Sequence, residues 1–256
     1  MVPVSATLPS LRVSLQSGRT VRGLFVCTYD ASLCEFVATL GWDFLILDAE
    51  HGPIDTRAME HIARACELRG TKAIARIPLT SAADVSRFLD AGACGVMVPM
   101  VDGPADARRA VELVKYPPLG QRGLGAPRSA GFGVDASTAA TVVARANSES
   151  LVIVQIESEA AVEHAAEIAA VECVDVMFIG PADLSLRLGV PCEWRHPKFI
   201  NAVTRVAAVA AEHGKVLGAY AASCEHISWY EDVGARFIAS ALEDVLMNGT
   251  AVLRGS

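Results

Sequence analysis

Residues 151–185 read LVIVQIESEAAVEHAAEIAAVECVDVMFIGPADLS. An apolar run at 151–157 gives way to an amphipathic stretch at 159–170, then to a second apolar run at 174–179. The pattern is strand, helix, strand. Both apolar runs are nearly continuous, as strands covered on both faces of a parallel sheet require. Working outward, the same unit recurs along the chain. Strands are expected at 21–27, 44–48, 73–77, 95–100, 151–157, 174–179, 215–220 and 236–240. Helices are expected between them at 30–40, 56–69, 82–91, 104–114, 137–148, 159–170, 198–213 and 224–233, with a last one at 242–253. Asp55-Thr56 is a start signal for one helix, and Gly70, Gly92, Gly214 and Gly234 are stop signals for four others. Eight alternations predict an α/β fold closed as a (β/α)8 TIM barrel, a single domain over 1–256. An open doubly wound sheet is the alternative. Its nucleotide signature is missing, because Gly123-Leu124-Gly125 lies in a loop and lacks the third glycine.

Composition agrees with this. The chain has 256 residues, 52% hydrophobic and 20% charged, enough for a large core and too apolar for disorder. Lys plus Arg is 22 against 29 for Asp plus Glu, a net charge of −7 that disfavours nucleic acid as a partner. No apolar stretch reaches the roughly 18 residues of a membrane span. The first nineteen residues lack a basic start followed by an apolar run, and the seven cysteines form no C-x-x-C. A cytoplasmic protein is expected. The Gly- and Pro-rich segment 116–135 reads as a long loop at the barrel mouth.

Chemistry in such a barrel belongs at the C-terminal ends of the strands. The second strand ends in Asp48-Ala49-Glu50-His51, three ionisable groups in four positions. Arg76 stands inside the apolar run AIARIP and must find an anion. Gln155 and Glu157 share one face of their strand, because side chains alternate. Gly180-Pro181-Ala182-Asp183 follows the next strand at a turn that opens a helix, where free N–H groups would hold an anion. Glu157 and Asp183 from successive strand ends, with water and substrate oxygens, would suit a hard divalent cation. Of six histidines, only His51 lies at a strand end among acids. Neither H-E-x-x-H nor G-x-S-x-G occurs. The four lysines, Lys72, Lys115, Lys198 and Lys215, all lie away from strand C-termini, which argues against an imine-forming amine.

The stretches DFLILDAEHGPID (43–55), ARIPLTSAADVSRFLDAGACGVMVPMV (75–101), YPPLGQRGLG (116–125), VIVQIES (152–158) and VDVMFIGPADLS (174–185) resemble the HpcH/HpaI aldolase family of metal-dependent 2-oxo acid aldolases. The resemblance implies Mg²⁺ or Mn²⁺, with Co²⁺ as a substitute, and reversible cleavage of a 4-hydroxy-2-oxo acid to pyruvate and an aldehyde. It implies Glu157 and Asp183 as metal ligands, His51 as the base, and Arg76 as the stabiliser of the enolate. It places Gln155, Gly180, Ala182 and Asp183 at the substrate. Some relatives carry Ser in place of Ala182, so here only the backbone can serve. Asp90 of FLDAGA would orient His51. A barrel puts Asp90 at the end of the third helix, near the bottom face, so it would reach His51 only if that helix ends elsewhere or if it comes from a neighbouring subunit, and Asp48 is the local alternative. The resemblance further implies a homohexamer, with the terminal helix 242–253 exchanged between subunits. Two other readings remain: a related lyase or decarboxylase acting on a CoA ester or an oxaloacetate-like substrate, and a catalytically silent barrel kept for binding.

Overall fold

The computed structural model describes residues 10–78, 82–134 and 138–255. Residue 135 of the expected loop, residue 137 of the expected helix 137–148 and residues 1–9 lie outside them. Eight parallel strands close into a barrel in chain order: β1 (Val21–Val26), β2 (Phe44–Asp48), β3 (Lys72–Arg76), β4 (Gly95–Val98), β5 (Leu151–Ile156), β6 (Val176–Ile179), β7 (Val216–Tyr220) and β8 (Ala235–Ala241). β8 pairs with β1 to complete the ring. This is the (β/α)8 arrangement that the alternation predicts.

Outside the barrel run α2 (Ala31–Ala38), α3 (Thr56–Glu67), α4 (Ala82–Ala91), α5 (Pro104–Val114), α6 (Ala139–Glu149), α7 (Glu159–Glu163), α8 (Ala165–Ala169), α9 (Pro181–Arg187), α10 (Pro197–Glu212), α11 (Cys224–Asp232) and α12 (Leu242–Arg254). The single helix expected over 159–170 is two helices, broken at His164, whose ring Nδ1 lies 3.0 Å from the Ala160 carbonyl and 3.1 Å from that of Asp102.

Strand parity sorts the side chains into two cores. Phe44, Ile46, Ile74, Met97, Ile153, Val176, Phe178 and Phe237 fill the barrel interior. Their neighbours Leu45, Leu47, Ala73, Ala75, Val152 and Val154 pack outward against the helices. Because the period is two, the inward set of β2 ends on Asp48, that of β3 on Arg76, and that of β5 on Gln155 and then Glu157. Polar side chains thus stand above an apolar plug at the C-terminal end of these strands.

The other end is sealed by a helix without a periodic signal in the sequence, α1 (Leu11–Gln16). At six residues it is too short to stand alone. Leu11 and Leu15 bury into the interior core, and Arg12 donates to Asp175 at 2.6 Å and to the Ser150 carbonyl at 3.0 Å.

The Gly- and Pro-rich segment corrects one expectation. It begins where α5 ends, and barrel helices run antiparallel to the strands, so it starts at the bottom of the barrel and not at the mouth. It stays there: Gln121 N donates to Glu112 O, Arg122 N to Lys115 O, and Arg122 pairs with Asp90 at the end of α4. Within it, Arg128–Gly133 forms a 3-10 turn, and Arg128 holds Glu67 at the end of α3.

Lys115, just after α5, is 1% exposed and donates to the carbonyls of Asn147 (2.8 Å) and Ser150 (2.6 Å). Burial, and then the nearby Arg12 charge, push its pKa down to about 8 from 10.5. Between those two values the unfolded chain binds the proton and the folded chain does not, so this group makes folding more favourable as pH rises. The stability of the wild type relative to Lys115→Met should therefore rise by up to about 3 kcal/mol from pH 8 to 10.5. Urea unfolding of both proteins across that range measures it; a flat difference would mean that Lys115 titrates normally.

Candidate active site

Asp48 and Arg76 are register partners at the ends of β2 and β3. Parity aims both inward, and they meet as a fork: Arg76 Nε donates to Asp48 Oδ1 at 2.9 Å and Nη2 to Oδ2 at 2.5 Å. The Asp48 side chain is 1% exposed. Burial alone would raise its pKa, but the bonds and charge of Arg76, with two backbone N–H groups, together outweigh burial and hold the carboxyl below its usual value. The guanidinium lies 4.9 Å from the centre of the Phe25 ring, which forms its floor.

The same carboxylate organises the loop after β2. Asp48 Oδ1 accepts the backbone N–H groups of Glu50 (3.1 Å) and His51 (3.3 Å). Asp48 thus holds the His51 backbone, while its side-chain partners are Arg76 and the Cys27 thiol, whose Sγ lies 3.6 Å from Oδ2. Glu50 Oε2 lies 3.5 Å from Arg76 Nε and 3.8 Å from His51 Nε2. Burial raises the Glu50 pKa against the pull of Arg76. The His51 side chain is 65% exposed, at the mouth.

Across the mouth, Gln155 and Glu157 face the same side, as parity predicts. Gln155 Nε2 donates to Glu157 Oε1 at 2.6 Å, and the Met100 N–H donates to Oε2 at 3.0 Å. Gln155 Oε1 is buried and has no partner among the described residues. Burial pushes the Glu157 pKa up to about 7; the Met100 bond opposes this, and the charges of Asp183 and Glu50 add to it. Gly180 lets this carboxylate stand where it does: a Cβ there would lie 2.2 Å from Glu157 Oε1. Asp183 sits in the first turn of α9, whose N-cap is Gly180. Ala182 is exposed beside it.

Asp90 is elsewhere. It ends α4 near the bottom of the barrel, 35% exposed, with Oδ1 held by Arg122 at 2.7 Å. The structure therefore gathers Asp48, His51, Arg76, Gln155, Glu157, Gly180, Ala182 and Asp183 at one mouth, and leaves Asp90 outside it. Three further contributors join them. Glu50 was visible in the sequence as a third ionisable group. Phe25 follows from β1 parity. Met100 contributes a backbone N–H from a left-handed conformation (φ 58°), for which a methionine gives no sequence signal.

The donor set suits a hard cation. Two carboxylates feel one another's charge, one is raised by burial, and a buried amide oxygen beside them lacks a donor. Among the described residues no three His, Cys, Asp or Glu side chains form a complete cage. A divalent ion held by Glu157 and Asp183 would take its other ligands from substrate and water.

The HpcH/HpaI aldolase/citrate lyase pattern matches residues 22–247. A 2-keto-3-deoxy-L-rhamnonate aldolase of Salmonella gallinarum is 35% identical over 241 residues, 91% of this chain and 86% of the relative. A hydroxypyruvate/pyruvate aldolase of Roseobacter denitrificans is 31% identical over 247 residues, 96% of this chain and 95% of the relative. The crystal structure of an HpcH/HpaI aldolase/citrate lyase family protein from Burkholderia cenocepacia superposes with a TM-score of 0.89 at 33% identity, covering 96% of this chain and 97% of the other. Similarity of sequence and of fold thus runs through every strand that carries the mouth residues, and the chain belongs to the HpcH/HpaI aldolase/citrate lyase family.

Proposed function

We propose that the protein is a divalent-metal-dependent aldolase that reversibly cleaves a 4-hydroxy-2-oxo acid to pyruvate and an aldehyde. The observation that carries this reading is the mouth itself: a buried Arg76–Asp48 fork faces a buried carboxylate, Glu157, whose pKa burial raises to about 7. Such a site favours an anion beside the arginine and a cation beside the carboxylate. An oxo acid chelating a metal ion provides both. The aldolase names of the relatives support the reaction class.

Glu157 and Asp183 would hold Mg²⁺ or Mn²⁺, with Co²⁺ as a substitute. When bound, the ion supplies Lewis-acid polarisation of the 2-oxo acid. The chain's own residues do the rest. Arg76, fixed by Asp48 and Phe25, presents a positive charge where the enolate oxygen develops. Gln155 and the backbone at Gly180 and Ala182 orient the pyruvate half. His51 takes the proton of the C4 hydroxyl as the C3–C4 bond breaks, and the electron pair passes into the enolate. The aldehyde leaves, and a proton returns to C3 to give the methyl group of pyruvate.

His51 needs a group that fixes its tautomer. The Asp48 carboxylate is engaged by Arg76, and Asp90 is at the far end of its own barrel. In this reading Asp90 of a second copy serves His51. The chain is then a homo-oligomer, a hexamer by resemblance. The last helix supports assembly, since α12 buries Leu242 but exposes Leu246, Met247, Val252 and Leu253.

Lysine chemistry is the mechanistic competitor, and Lys115, whose pKa is about 8, looks suited to it. It lies at the wrong end of the barrel, as does Lys215, which donates to the Val171 and Val174 carbonyls. Borohydride with pyruvate should leave the protein unlabelled by mass spectrometry, and EDTA should abolish cleavage until metal is restored. A stable adduct would overturn the metal mechanism. Glu157→Ala and Asp183→Ala should each weaken metal binding, and each should lower cleavage at least about a hundredfold. Arg76→Lys should lose about as much, because a point charge cannot replace the planar fork; near-normal turnover would make Arg76 merely structural. Finally, His51→Ala and Asp90→Asn proteins should each be impaired by about 10²–10⁴-fold. If Asp90 acts across subunits, unfolding and co-refolding the two should restore activity, because mixed interfaces contain one site with both native residues. Mixtures that stay inactive would refute the pairing between subunits.

A further inference from the structure

The loop that the sequence singled out, residues 116–134, takes no part in the mouth of its own barrel. With α6 it instead encloses a cavity of about 610 Å³ at the opposite end of the barrel. Four cations from four elements converge on it: Lys72 at the start of β3, Arg122 in the loop, Arg128 in the 3-10 turn and Arg145 on α6. Two carboxylates share the lining, Glu67 and Glu149. Glu67 is engaged by Arg128, whose guanidinium fits over Gly92, where a Cβ would lie 2.6 Å from Nη1. Arg122 stacks on Tyr116 at 4.6 Å and gives Nη2 to Asp90. Its side chain is only 3% exposed, yet its Nε is buried without a hydrogen-bond partner among the described residues. Arg145 has one long bond, 3.3 Å to the Ser129 carbonyl, and no carboxylate pairs with it or with Lys72 among the described residues. A chain of net charge −7 thus gathers a surplus of cations in one concavity.

We infer that this cavity is an anion-binding site for the phosphate group of a small phosphorylated metabolite. Guanidinium forks match phosphate oxygens, and a lysine adds a point charge. The volume lies within the range of small-molecule sites and exceeds what a bare phosphate fills. Leu89, Phe132 and Val142 on its wall would meet the organic part. No residue gathered at the mouth lines it; it meets the aldolase reading only through Arg122, which holds Asp90.

The test is calorimetric titration of the wild-type oligomer with inorganic phosphate, glycerol 3-phosphate and succinate, with the mouth saturated by Mg²⁺ and pyruvate. One site per chain with a Kd of about 1 mM or tighter is expected for the ester. Arg145→Ala/Lys72→Ala, both at solvent-accessible positions, should weaken it at least about tenfold and leave retro-aldol activity intact. Arg76→Ala should leave the affinity unchanged. If inorganic phosphate binds as tightly as the ester, the site belongs to the free anion. Absence of binding, binding that survives the double substitution, binding lost in Arg76→Ala, or succinate binding as tightly as the ester would each overturn the assignment.

Discussion

The mouth of the barrel depends on the buried fork between Asp48 and Arg76. The Asp48 carboxylate, 1% exposed, would not be tolerable alone at that depth, since an unpaired buried ion costs several kcal/mol. It therefore requires Arg76, and parallel register puts the two side by side on β2 and β3. From that pair the rest follows in order. Asp48 Oδ1, besides the Arg76 Nε–H, collects the N–H groups of Glu50 and His51, so the loop after β2 turns inward over the site. The guanidinium, held over the Phe25 ring, keeps its charge at a fixed point. A fixed charge stabilises a developing anion without reorganising, which is where such a residue is worth most in a reaction.

The opposite wall is arranged by a different constraint, the absence of atoms. Gly180 has no side chain, and Glu157 occupies the space that one would fill. Met100 accepts a left-handed backbone conformation, which is unfavourable for a residue with a Cβ, and there its N–H meets Glu157. The wall thus positions a carboxylate while giving it little positive charge to lean on.

Most of this architecture is legible in the sequence because it rests on periods. Near-continuous apolar runs mark the strands, and a period of two decides that Asp48, Arg76, Gln155 and Glu157 all face inward. What escapes reading lacks a period. The helix α1 is six residues long and owes its existence to Leu11 and Leu15 sealing the barrel bottom. The Gly- and Pro-rich loop carries no sign of which end it covers; the direction of α5, a property of the fold, decides that it covers the bottom. Asp90 shows the same limit from the other side. Its sequence context points to the active site, but the end of α4 is near the bottom of its own barrel, and Arg122 already holds one of its oxygens.

Two carboxylates at one mouth are driven in opposite directions. Asp48 is held below its ordinary pKa because burial is outweighed by the bonds and charge of Arg76 together with the N–H groups of His51 and Glu50, whereas Glu157 is raised to about 7 because burial prevails over the Met100 N–H and the more distant Arg76 charge. Environments that push similar groups apart assign them different work. Asp48 is satisfied within the chain, so its task is to hold Arg76 and the loop. Glu157 is left with an unmet demand for positive charge, and the buried, unpartnered Gln155 oxygen beside it shares that demand. A hard divalent cation held by Glu157 and Asp183 would satisfy both. The contrast between the permanent charge of Arg76 and the unmet demand of Glu157 is built into the strands before any ligand arrives.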